Sequence, residues 1–414
     1  MERVTDSTSR ARTAGAYLLG TWVLSAAVHV YLISPASVLP RIADGLGVPE
    51  TTAIWLVSAV LVAWAATNFG VGVIIDRVGD VATISAGGVA VVGAAGVGWA
   101  FAARGLFWPL IGTRVFAGIA IGAVWIASTT LVGRLFPIER RGTALGVFTT
   151  SAPAGFAVGQ VTGPWIAATA GWSAVLAVGG VLSAVAVVIF AIAHFVVGGS
   201  AVNSEEATTD SESANSTSPS VRQGFSTVLR NRTVVVGAVV AFAAYSLYLF
   251  LNSWLPTYLL EEFALSPGTS GLLAAVFPAM GVVSRAGGGI ISDRLFDHRR
   301  LPVLKWSFVI ATPVMVLIMV SRSVPVLLGL LILGGLVIQL TFGVVYSYVQ
   351  EAVELTNEGT ALSILGSTGI AGAFSAPVIA GTLIDLTGAY TAAFLYAIAV
   401  AIVGGVLVFF VADE

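Results

Sequence analysis

Apolar residues in this chain run in unbroken stretches of roughly 20 or more positions, parted by short polar breaks; they do not alternate with polar ones. A helix rising 1.5 Å per residue needs about 20 such residues to cross a ~30 Å hydrocarbon core. The pattern predicts spans near 14–38, 52–75, 81–103, 106–133, 143–169, 172–197, 234–259, 269–292, 302–321, 325–350, 360–384 and 388–411. Connections are short, so neighbouring spans are expected to be antiparallel, with residues 40–51 a turn-rich link between the first two. Residues 198–231 are the one long polar segment, rich in Gly, Ser, Thr, Asn and acidic residues. They lack the apolar area to fold alone and read as a linker.

The second half repeats landmarks of the first. Asp76 in GVIIDR and Asp293 in GIISDR, GTAL at Gly142 and at Gly359, and Gly171 and Gly388 all stand 217 residues apart. The expected fold is therefore an all-α membrane protein, its 12 transmembrane helices arranged as two pseudo-symmetric six-helix bundles. The N-terminal bundle takes residues 1–197, the linker 198–231 and the C-terminal bundle 232–414. Duplicated bundles with a pathway between the halves are a transporter architecture.

Composition agrees: 57% of residues are hydrophobic and 10% charged, against roughly a quarter charged in soluble domains. The 47 glycines suit close helix approach in lipid. There is no cysteine, so disulfides and thiolate metal sites are excluded. The first span is too long for a signal peptide and is expected to remain in the mature chain. With both termini in the cytoplasm, fourteen basic residues fall in cytoplasmic segments and three (Arg41, Arg104 and Arg322) outside. This positive-inside bias sets the expected orientation in the cell membrane. Two basic residues, Arg114 and Arg285, lie within apolar spans.

Several motifs carry a family likeness. After the second span come Gly72, Asp76, Arg77 and Gly79, with Asp80 and Val81 next; a degenerate copy keeps Gly289, Asp293 and Arg294. The fourth span holds Arg114-x-x-x-Gly118, and the fifth Gly155-x-x-x-Gly159-x-x-x-Gly163-Pro164 followed by Ala167 and Ala168. In this order the motifs resemble the major facilitator superfamily over nearly the whole chain. They depart from it at Asp80 and Val81, where that family has basic residues, and at Ala167 and Ala168, where its antiporter-associated motif has glycines. An Asp-Arg turn between helices can bind helix ends, since a carboxylate favours an N-terminus and a guanidinium a C-terminus. In relatives such contacts lock the cytoplasmic side. The resemblance thus assigns Gly72, Asp76, Arg77 and Gly79 to gating, with Asp293 and Arg294 as weaker counterparts. The alternative is that they only mark the membrane boundary.

An arginine deep in a span costs at least ~2.5–3.5 kcal/mol unless it meets water, a partner or a substrate. Its planar fork matches carboxylate or nitrate oxygens. The Arg285-x7-Asp293 spacing is similar to that of anion-carrying branches: nitrate/nitrite, oxalate–formate and monocarboxylate transporters. There the corresponding arginine meets the anion. All twenty-one carboxylates read as lying in tails, loops or helix ends, which weakens the ion-pair alternative, although carbonyls, hydroxyls or amides could satisfy either arginine. Polar stripes on the spans that line the cavity in that superfamily add candidates: Thr21, Ser25 and His29; Trp125 and Ser128; Tyr245, Tyr248 and Asn252; Gln339, Phe342 and Tyr346. Each set falls on one helix face, and helix packing is the competing role for each. His29, the imidazole well inside a span, is the candidate for proton coupling; a satisfied interior histidine is the equal alternative.

The substrate-site candidates are thus Arg285, Arg114, His29, Trp125, Tyr245, Tyr248, Asn252, Gln339 and Tyr346. The reading is a secondary active transporter of a small organic or inorganic anion, by exchange or proton symport. Two other readings are a drug–proton efflux antiporter and a ligand sensor that does not transport. Partners are the anion, protons and the bilayer, with no nucleic acid, cofactor or metal, and a functional monomer is expected. No catalytic constellation suggests an enzyme.

Overall fold

In the computed structural model the described residues are 2–67, 71–197, 228, 230–295 and 299–410; side chains are described for these except at 2–11, 73, 138–139, 197, 286, 288–295 and 355–359. Most of the expected linker, 198–231, lies outside them. Among the described residues all regular structure is helical. The first half holds α1 (Glu2–Ile33), a 3-10 turn (Ser34–Val38), α2 (Leu39–Leu46), α3 (Glu50–Ala53), α4 (Trp55–Thr67), α5 (Val71–Val78), α6 (Asp80–Ala102), α7 (Phe107–Leu135), α8 (Ile138–Thr149), α9 (Ser151–Ala170) and α10 (Ala174–Val197). The second holds α11 (Arg232–Glu262), α12 (Pro267–Leu295), α13 (Arg300–Val320), α14 (Val324–Gln350), α15 (Leu355–Thr387) and α16 (Tyr390–Phe409).

Eleven segments among the described residues are long and apolar enough to cross a membrane. The expected span 143–169 is not one of them: it is divided into α8 and α9 at Thr150, and α9, though 20 residues long, carries Gln160, two prolines and three glycines that make it less apolar than the rest. The link at 40–51 is also more ordered than expected: α2 occupies most of it and closes on Gly47 in a left-handed turn. Helices that begin at Glu50, Phe107 and Ile138 have counterparts beginning at Pro267, Val324 and Leu355, each 217 residues on. Gly171 and Gly388, paired at the same offset, both hold positive φ (84° and 67°). Only glycine adopts that backbone without strain.

The same symmetry sets the packing. A Cβ on Gly118 would collide with the Val60 carbonyl and with Ala63, and one on Gly335 with the Phe277 carbonyl and Met280. These are equivalent positions in the two halves, so one small-residue crossing is used twice. The halves meet along α9 with α12 and along α4 with α15, and the 3-10 turn touches α11. Large apolar side chains face outward, including Trp108 (77% exposed), Trp165 (69%) and Phe195 (80%). Such a surface suits lipid and not water. Trp99, Trp108 and Trp165 stand near helix ends on the face opposite the chain termini, where an aromatic belt forms.

Candidate functional site

The two intramembrane arginines have opposite surroundings. Arg114 on α7 is fully buried. Its Nε donates to the Leu56 carbonyl (2.6 Å), Nη1 to that of Tyr31 (3.2 Å) and Nη2 to that of Leu32 (2.8 Å), and the guanidinium sits 4.4 Å from the Tyr31 ring centroid. Sequence explains the demand for donors. An α-helix would satisfy the Tyr31 carbonyl with the N–H of residue 35, but residue 35 is proline and has none. Arg114 caps the end of α1 and, although it is one of the expected substrate-site residues, does not line the cavity.

Arg285 on α12 lines a cavity of about 610 Å³ between the two halves. Its guanidinium lies 5.0 Å from the Tyr248 ring centroid and 4.3 Å from that of Phe342. Among the described residues it has no hydrogen-bond or ion-pair partner, and its Nε is buried without one. The other lining residues include His29, Trp64, Trp125, Phe156, Tyr245, Tyr248, Tyr346, Ser363 and Ser367. Tyr31 and Tyr248 occupy equivalent positions in the repeat, so each arginine rests on its own half's copy of one tyrosine. One copy is sealed by carbonyls and the other is open to the cavity.

Rings from the first half form one wall. His29 lies 5.7 Å from Trp64, 5.5 Å from Trp125 and 5.8 Å from Phe156, centroid to centroid. Phe156 then stacks on Tyr248 of the second half at 5.4 Å and 14°. His29 is fixed by its Nδ1, which donates to the Ser25 carbonyl at 2.7 Å. Trp64 and Phe156 were not expected from sequence. Trp64 lies in a stretch with no polar stripe, but the repeat holds a signal. Its equivalent is Gly281, and the equivalent of Gln339 is Gly122. A Cβ on Gly122 would lie 2.8 Å from Trp64 Cδ1, and one on Gly281 would collide with Gln339. Large and small side chains have changed places across the two helix pairs.

That exchange explains why Gln339 is not a cavity residue. Its Nε2 donates to the carbonyls of Phe277 (2.9 Å) and Gly335 (3.3 Å), so it works between α12 and α14. Asn252 is also absent from the cavity wall: its side chain donates to the Tyr248 carbonyl (2.8 Å), while its own carbonyl accepts from Gln160 Nε2 of α9 (2.6 Å). The structure thus brings together Arg285, His29, Trp125, Tyr245, Tyr248 and Tyr346, and leaves out Arg114, Asn252 and Gln339. Of the remaining stripe positions, Ser25 accepts from Ser151 Oγ at 2.7 Å and Thr21 bonds its own helix. Phe342 supports Arg285 from behind.

The cavity extends toward the face carrying the termini and is closed at the opposite one, where the Gln160–Asn252 bond crosses the seam and Gly381 of α15 packs against Trp254 and Thr51. On the terminal face Asp76 and Arg77 are exposed, Gly72 has open space around it and Gly79 turns the chain with φ 84°. The side chains of Asp293 and Arg294 lie outside the described residues. Asp80, which stands where the family pattern has a basic residue, is buried and paired with Arg134 at 2.9 Å. It lies in the first turn of α6 and Arg134 in the last turn of α7, so each charge complements its helix dipole. The pair ties the turn to its own bundle. Among the described residues no three His, Cys, Asp or Glu side chains cluster as a metal site.

The sequence profile of the Major Facilitator Superfamily matches residues 18–354. The nitrite extrusion protein of Bacillus subtilis (strain 168) is 28% identical over 313 residues, covering 75% of this chain and 73% of that one. The hexuronate transporter of the same organism is 26% identical over 384 residues, covering 89% and 86%. The cis,cis-muconate transport protein of Acinetobacter baylyi (strain ATCC 33305 / BD413 / ADP1) is 25% identical over 274 residues, covering 65% and 64%.

Proposed function

Because the chain belongs to the Major Facilitator Superfamily, we propose that this integral membrane protein is a secondary transporter of a small anion, working by alternating access. The observation that carries the reading is Arg285: a guanidinium on the cavity wall with no hydrogen-bond or ion-pair partner among the described residues. A fixed cation in a low-dielectric site is costly alone and stabilised by a mobile anion. The relatives are named for nitrite, hexuronate and muconate, inorganic and organic species that share negative charge. His29, Tyr245, Tyr248, Tyr346 and Trp125 complete the proposed binding site, with protons entering through His29 as co-substrate or with a second anion in exchange.

In this proposal residues 1–197 and 232–414 are the moving bundles, the termini are cytoplasmic, the protein sits in the cell membrane, and a monomer suffices. The conformation is then open to the cytoplasm. Exposure of Asp76 and Arg77 fits that state, since a cytoplasmic lock built on them, Gly72 and Gly79, with Asp293 and Arg294 opposite, engages when the outside opens. The Gln160–Asn252 contact belongs to the outer gate. Gln160→Leu removes one hydrogen bond worth about 1 kcal/mol and is expected to shift the equilibrium about five-fold toward the outward-open state. Faster thiol labelling of a Thr51→Cys reporter checks this; unchanged labelling contradicts the gate.

Proteoliposome uptake of nitrate, formate, oxalate, lactate and sugar phosphates tests the function. Flux of at least one above empty liposomes is expected. Transport of lipophilic cations alone would indicate a drug antiporter, and anion binding without flux a sensor.

A further inference from the structure

The wall facing Arg285 is larger and more aromatic than an inorganic ion needs. The cavity of about 610 Å³ lies within the ~300–1,000 Å³ that enclose a drug-sized molecule. Nitrate or nitrite would leave most of it to water. Its lining carries one guanidinium and, among the described residues, no carboxylate. With the His29 imidazole uncharged, a monoanion balances that charge, whereas a dianion would leave one negative charge uncompensated in a low-dielectric site. The same cavity is lined by Trp64, Trp125 and Phe156, with rings 5.5–5.8 Å from His29. Phe156 stacks on Tyr248, the ring that also carries Arg285. Charge recognition and aromatic surface are therefore continuous. Trp64 is seated by Gly122, where any side chain would press on it.

We infer that the cargo is an organic monocarboxylate with a flat, unsaturated body, its carboxylate on Arg285 and its body against Trp64, Trp125 and Phe156. This rests on the anion reading above and narrows it. Offset or edge-on contact with such rings is worth about 0.5–1.5 kcal/mol beyond the area it buries. A saturated ring of equal size gains the burial without that term.

The test is calorimetric binding to the purified full chain, with benzoate, cyclohexanecarboxylate, terephthalate, nitrate and benzamide as probes. Benzoate is expected to bind at least about ten-fold more tightly than nitrate or terephthalate and about three-fold more tightly than cyclohexanecarboxylate. Trp64→Leu and Trp125→Leu are each expected to lower the benzoate-to-nitrate preference about five-fold, and Trp64→Phe to keep it. Nitrate or terephthalate binding as well as benzoate overturns the substrate class while leaving the anion reading intact, and equal binding of cyclohexanecarboxylate overturns the flat body. Benzamide binding without any anion overturns both readings, and binding of none of the five overturns the substrate class while the uptake panel above decides the anion reading. The wild-type panel decides the matter even if a tryptophan variant fails to fold.

Discussion

Arg285→Lys is expected to cut anion transport about 10- to 100-fold while leaving the folded yield and melting temperature of the protein unchanged. Lysine keeps the charge but replaces a planar fork with a point charge on a flexible stem. One of two charge-assisted hydrogen bonds to the anion is then lost, worth about 1.5–3 kcal/mol. Stability should not suffer, because among the described residues Arg285 bonds no protein group; the Tyr248 and Phe342 rings beneath it accept an ammonium as well. Initial uptake rates in proteoliposomes, set against melting curves in detergent, separate the two effects. Normal flux in the lysine variant would remove Arg285 from the substrate site.

Arg114→Leu is expected to do the reverse and act on the fold. The substitution removes three charge-assisted hydrogen bonds at once, to the carbonyls of Leu56, Tyr31 and Leu32, and strands that of Tyr31, whose helical donor position is Pro35. A hydrogen bond to a charged group is worth about 1.5–3 kcal/mol, so the three together are a large loss. Even partial relaxation leaves a loss comparable with the 5–15 kcal/mol of net stability typical of a folded protein. A collapse in monodisperse yield, or a large fall in melting temperature, is the expected reading by size-exclusion chromatography and thermal unfolding. A variant that folds normally and loses only anion affinity would return Arg114 to the substrate site.

These two arginines show how far sequence reading reached. The spans, the repeat and the twin arginines were all legible, because membrane helices announce themselves by length and duplication by constant offset. What sequence could not supply was which carbonyls lay nearby. Pro35 removes the N–H that the Tyr31 carbonyl needs, yet only the fold brings Arg114, 79 residues further on, to that place. Gln339 and Asn252 lie away from the cavity wall for a related reason. A polar residue on a helix stripe serves a neighbouring helix as readily as a cavity, and the stripe alone does not say which neighbour faces it. Trp64 and Phe156 went unnoticed because aromatic residues in apolar spans carry no contrast. Comparing the repeat position by position would have exposed Trp64, since glycine stands opposite it in one half and in its own place in the other. The split of the fifth span at Thr150 falls in a polar run, Thr149, Thr150 and Ser151, too short to break a span read over about 20 residues.

The absence of native cysteine makes one measurement especially direct. Ser367 lines the cavity, and Ser367→Cys gives it a single thiol whose labelling rate reports occupancy. A transported anion is predicted to slow labelling in a concentration-dependent way, its neutral amide analogue is predicted to leave it unchanged, and protection is predicted to vanish when Arg285→Gln is added. Protection that persists in the Arg285→Gln background, or that the neutral analogue gives equally well, would contradict the claim that a travelling negative charge completes the environment of Arg285.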